Sequence, residues 1–145
     1  MAHSFCAVLT AAALLGASLA SLPEVAQADA AAEVICRPGS KVMMRTELVF
    51  GTQRSQMPPV SRAAWRRFIA REVSPRFPDG FTVIDAEGGW HSQRGLIRET
   101  AHILIVWHDA TPRQNDQFEA LRTIYKQRFH QQSVLRIDGS DCMSF

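Results

Sequence analysis

The residues best equipped for chemistry in this chain fall in two apolar segments interrupted by ionisable side chains. Arg45 and Glu47 stand two apart within Val42–Phe50, and His102 and His108 punctuate the run from Leu96 to His108. Period-two spacing places Arg45 and Glu47 on one side of a strand. A carboxylate beside an arginine stays ionised, and a histidine nearby moves protons near neutral pH. Arg45, Glu47 and His102 are therefore candidates for a ligand pocket or a cofactor-free acid–base site, with Glu47 and His102 as the catalytic candidates. The competing reading makes Arg45 an ion-pair partner of Glu47 or of a cross-strand acid, and His102 a satisfied interface residue. Arg76 and Asp79, in the segment Pro75-Arg76-Phe77-Pro78-Asp79-Gly80, are further ligand-binding candidates. Their structural alternative is a corner clamp, with Arg76 paired to Asp79, Asp85 or Glu99 while Trp90 packs over a hairpin.

Other chemistries lack their patterns. His91, His102, His108 and His130 form no HxxxH or HxH, and no CxxC is present, so no metal site is expected. There is no GxSxG elbow and no glycine-rich phosphate loop, and no cofactor is expected.

The elements that must position these groups read clearly. Val42–Phe50 is a first strand. Ser61 caps a helix carrying Trp65, Phe68, Ile69 and Val73 at helical spacing, and Pro75 stops it. Pro78-Asp79-Gly80 is a turn, with a second strand from Phe81 to His91 and a bulge or kink expected at Gly88-Gly89. Ser92–Gly95 turns into a third strand, Leu96–Trp107. Thr111-Pro112 opens a second helix with Phe118, Leu121, Ile124, Tyr125 and Phe129 on one side. Ser133–Ile137 is a fourth strand, ended by Gly139.

The order βαββαβ with right-handed crossovers predicts a ferredoxin-like α+β fold, a four-stranded antiparallel sheet with two helices on one face. Alternation assigns Met44, Thr46, Leu48 and Phe50 to the helix-covered face, along with Ala101, Ile103, Ile105 and Trp107. The open face then presents Arg45, Glu47, His102 and His108 among Val49, Leu104 and Val106. Such a face predicts a homodimer joined sheet to sheet. In this topology the fourth strand lies beside the first, which brings Cys36 near Cys142 and predicts a disulfide. The bridge would close a loop worth about 4–5 kcal/mol in the chain-entropy model.

Cys6–Ala20 is an apolar run of signal-peptide length, too short for the ~20 residues of a membrane span. Ala26-Gln27-Ala28 and Ala28-Asp29-Ala30 are candidate cleavage sites. The expected organisation is a signal peptide at 1–28, an N-terminal extension at 29–41 and one domain at 42–145. The mature chain is expected to be periplasmic or secreted, with no membrane span after cleavage. The whole chain carries a formal charge of +2, and all its bases except Lys41 and Lys126 are arginines. A mild positive charge outside the cytoplasm fits small anionic ligands better than nucleic acid, which is not expected as a partner.

From Arg45 to Phe145 the chain resembles a bacterial family of small exported proteins catalogued as domain of unknown function 3574. The matching residues are Arg45-Thr46-Glu47-Leu48, Phe50-Gly51, Pro75–Gly80, Thr82-Val83, Asp85-Ala86, Trp90, Glu99, Ser133-Val134-Leu135 and Phe145. Val49 and His91 depart from the aromatic and arginine that the family often carries there. The resemblance implies export and one small domain, and adds weight to Arg45, Glu47, Arg76 and Asp79. Two functions fit: a non-enzymatic envelope protein binding a ligand or partner, or a small cofactor-independent enzyme working from the open sheet face.

Overall fold

The computed structural model describes residues 34–93 and 95–144, so the leader, its cleavage sites and Phe145 lie outside the described residues. Along the chain come β1 (Lys41–Gly51), α1 (Arg62–Phe68), β2 (Thr82–Ser92), β3 (Gly95–His108), α2 (Pro112–Phe129) and β4 (Leu135–Met143). The last turn of α1 continues as a π-helical turn over Ile69–Val73. All pairings are antiparallel and the sheet order is β2-β3-β1-β4, the ferredoxin-like arrangement. Among the described residues no helix is long and apolar enough to cross a membrane.

Local chemistry sets the helix ends. The Ser61 hydroxyl accepts from the Ala64 amide and the Thr111 hydroxyl from the Gln114 amide, satisfying donors with no intrahelical partner. After the π-turn the chain turns on Val73, whose carbonyl accepts from the amides of Arg76 and Phe77. Gly80 then takes a positive φ of 128°, which a side chain would resist.

The core lies between the helices and one sheet face. Phe50 packs against Tyr125 at a centroid distance of 4.7 Å, and against Trp65 and Phe68 at 5.3 and 5.6 Å. Such pairs add roughly 0.5–1.5 kcal/mol each beyond their burial. Phe77, from the proline corner, stacks on Phe118 of α2 at 4.9 Å and is almost fully buried. The corner is thus a plug for the core as well as a helix stop.

Three expectations are corrected. β4 does not end at Gly139; it runs on to Met143, with Gly139 paired to Arg45. A Cβ at 139 would lie 3.6 Å from Arg45 Nη2, an ordinary contact, and the ladder passes through Gly139 without a break. Gly88-Gly89 holds no bulge, because the β2–β3 register runs unbroken from Thr82↔Ile105 to Ser92↔Gly95. At Gly89 the missing side chain leaves room for Leu96, whose Cδ1 would stand 3.3 Å from a Cβ there. The third correction concerns the faces of β3. Register places Leu48 opposite Leu104 and Phe50 opposite His102, so the helices cover His102, Leu104, Val106 and His108. Ile103, Ile105 and Trp107 face outward. Both sets are largely apolar, and a one-residue change of register exchanges them completely.

The candidate functional site

Two sheet faces now carry the candidate residues. On the open face Arg45 Nε lies 3.2 Å from Glu47 Oε1 and 3.6 Å from Asp141 Oδ2. Trp107 Nε1 donates to the same Asp141 oxygen at 2.8 Å. The Arg45 Nε atom is buried yet makes no well-aligned hydrogen bond. Around this charged centre stand half-buried Val49, Ile103 and Ile105 and exposed Ile84, Leu135 and Ile137, the last three 45%, 58% and 42% accessible.

The structure does not bring Glu47 and His102 together. Glu47 is opposite Ile105 on the open side, whereas His102 is opposite Phe50 beneath the helices. An acid–base pair of these two is therefore corrected: strand alternation separates them by the thickness of the sheet.

The two histidines are buried with partners. His102 stacks on Trp65, nearly coplanar at 7° and 4.3 Å between centroids, and its Nδ1 lies 2.7 Å from Asp85 Oδ1. His108 Nε2 lies 2.9 Å from the Thr46 hydroxyl and its Nδ1 2.8 Å from the Asp109 carbonyl. Thr46 has one hydroxyl proton, and it goes to Asp138 Oδ1 at 2.7 Å. A carbonyl accepts only, so His108 Nδ1 donates to Asp109, and Nε2 faces the Thr46 oxygen. Thr46 thereby links His108 to Asp138. Burial pushes the Asp138 carboxyl up, but the Thr46 hydroxyl and the Arg136 guanidinium outweigh it and hold the group below its ordinary range.

Arg76 does form a clamp, though with none of the three acids expected. Its Nη1 donates to the Glu72 carbonyl at 2.6 Å and to the Glu72 carboxylate at 3.0 Å. Arg128 of α2 holds the other Glu72 oxygen, and these bonds keep that carboxyl below its usual range despite burial. Asp79 is exposed at the corner, away from this pair. Glu99 sits instead over Gly51, where a Cβ would come within 2.8 Å of its Oε1 and the carboxylate would have to shift. Sequence reasoning missed Asp85 as the partner of His102, Asp138 as that of Thr46 and Asp141 as that of Arg45; the first two lie directly across a strand pair and Asp141 lies diagonally, opposite Met43, so all three are visible only once the register is known. The side chain of Trp90 lies outside what is described.

Cys36 and Cys142 form a disulfide with Cα atoms 5.4 Å apart, tying the entry of β1 to the end of β4. Together these features define a small, disulfide-closed ferredoxin-like domain in which no helix among the described residues covers one face of the sheet. The chain belongs to the family described as protein of unknown function (DUF3574), whose pattern matches residues 45–145. No curated protein matches it. Among solved structures it is similar to a phage SAM lyase in its apo state, at 14% identity and a TM-score of 0.54 over 78% of this chain and 95% of the other. The same lyase in complex with S-methyl-5'-thioadenosine gives 15%, 0.52, 78% and 97%. CutA from Synechococcus elongatus PCC7942 gives 10% identity and a TM-score of 0.47 over 71% and 80%. At these identities the likeness is one of fold.

Proposed function

We propose that this chain is an exported, non-catalytic binding domain of the cell envelope that pairs with a second copy through its open sheet face. The observation that carries the reading is that face itself: Ile84, Ile103, Ile105, Trp107, Leu135 and Ile137 surround a compact Arg45–Glu47–Asp141 cluster. A contiguous apolar surface rimmed by polar groups suits an interface. One cation flanked by two anions suits a two-fold partner, because each Arg45 can approach the acids of the other copy. A small anionic ligand enclosed between the faces would meet the same guanidinium. The Cys36–Cys142 bridge supports export, since such bonds persist in oxidising compartments.

The test is sedimentation of the oxidised protein over a range of concentrations, beside Ile137→Glu. Ile137 lies on the edge strand and is half exposed in the single chain, so the substitution leaves the core alone. A wild-type dimer that becomes a folded monomer in the variant supports the reading. A wild type that is monomeric throughout refutes it. The enzyme reading loses its Glu47–His102 pair; among the described residues the Asp85–His102 dyad borders an open groove.

A further inference from the structure

On the helix side of the sheet, at the end of β1, an open groove of about 360 Å³ runs past Asp85 and His102. That volume lies at the lower end of the range for small-molecule sites. We propose that this groove binds a small molecule through a primary ammonium group, which donates to His102 and to the carboxylates of β2.

Thr52 Oγ1 donates to the Thr100 carbonyl at 2.8 Å, so the 2.7 Å contact between the two hydroxyls uses the Thr100 proton. Asp85 Oδ1 accepts from His102 Nδ1 at 2.7 Å, so the single-proton form of the ring carries its lone pair on Nε2, which makes no hydrogen bond among the described residues. Asp85 and Glu87 are carboxylates on the same side of β2, since residues two apart share a face. The groove's hydroxyls and imidazole have therefore spent their donors inward and present lone pairs and negative charge. A ligand that satisfies them has to bring several N–H groups and a positive charge, which an ammonium does.

Trp65 fixes the imidazole from behind, so Nε2 is held in place with little freedom to lose on binding. Val60 and Ala86 offer the apolar contact that a short aliphatic tail would cover. Arg62, at the rim, forms no ion pair among the described residues and is the groove's cationic lining residue. It suits the carboxylate of an α-amino acid. The shared chemistry is the ammonium, and Arg62 separates a free amino acid from a simple amine.

The experiment follows the His102 ring and the Trp65 indole by NMR in the oxidised protein during titration with three compounds of similar shape. Isoamylamine has the ammonium alone, L-leucine has ammonium and carboxylate, and 4-methylvalerate has the carboxylate alone. Saturable shifts are expected with the first two and none with the third. Glu87→Gln and Asp85→Asn, both at exposed positions, should each weaken isoamylamine binding about tenfold. Tighter binding of L-leucine, lost in Arg62→Gln, identifies an amino-acid site, and equal binding identifies an amine site. Absence of saturable shifts with both amines, equal shifts with 4-methylvalerate, or unchanged affinity in both acid variants would overturn the proposal.

Discussion

Replacing Thr46 by valine removes a single oxygen from the middle of the domain and should be costly. Thr46 is fully buried, and its hydroxyl both faces His108 Nε2 and donates to Asp138. Valine keeps the shape, so no cavity forms. It leaves His108 Nε2 facing a methyl group, and it takes one donor from Asp138. Asp138 keeps Arg136, whose Nε lies 2.9 Å from Oδ2. Leaving a buried group unsatisfied costs about 1–3 kcal/mol, so about 2 kcal/mol is expected. For a domain of this size that corresponds to a fall in Tm of roughly 10 °C.

The loss should also depend on pH. Asp138 is held below its ordinary range, so the stability it contributes is complete above the unfolded-state value and disappears as pH falls through the folded-state value. The gap between wild type and Thr46→Val, measured by urea unfolding followed by circular dichroism, should therefore be widest near neutrality and shrink in acid. A gap under about 0.5 kcal/mol at neutral pH, the ordinary scatter of surface substitutions, would refute the reasoning. So would one that grew on acidification.

Other perturbations test the remaining parts of the frame. Phe77→Ala should cost about 3–5 kcal/mol in chemical unfolding, because it empties the space over Phe118; a loss below 1 kcal/mol would mean that the corner does not plug the core. Reduction of Cys36–Cys142, or Cys36→Ser, should lower stability by up to about 4–5 kcal/mol, with little change in far-ultraviolet circular dichroism. Tyr125 is buried and donates to the Gly51 carbonyl at 3.0 Å, and burial raises its pKa. The unfolded chain ionises first as pH rises past about 10, so wild type should lose stability there while Tyr125→Phe loses less. Equal alkaline loss in both proteins would contradict that assignment.

The elements were legible because their signals are local. Ser61, Pro75, Thr111 and Pro112 mark helix ends through backbone donors, and each acts within a few residues of itself. The disulfide was legible from topology, since the order βαββαβ already places β4 beside β1. The faces of β3 were not. Ile103, Ile105 and Trp107 are as apolar as Leu104 and Val106, so alternation alone does not choose between them. What decides is that both histidines find partners inside, His102 in Trp65 and Asp85, and His108 in Thr46 and the Asp109 carbonyl. Those partners come from β1, β2, α1 and the residue after β3. Gly139 misled because a glycine reads locally as a strand end, whereas pairing with Arg45 on another strand carries β4 through it. The Pro75–Gly80 corner identified the family, but its buried contribution is Phe77, which only the packing reveals.

The central claim is that the open sheet face is covered in solution. Isoleucine methyl resonances measured with a soluble gadolinium chelate test it directly, because the chelate bleaches only methyls that solvent reaches. Ile35, 90% accessible, is the exposed standard within the same molecule. If two copies pair through this face, the methyls of Ile103, Ile105 and Ile137 will stay sharp while Ile35 bleaches. Bleaching of Ile137 and Ile84 to the same extent as Ile35, at concentrations where the protein is fully folded, would contradict the account.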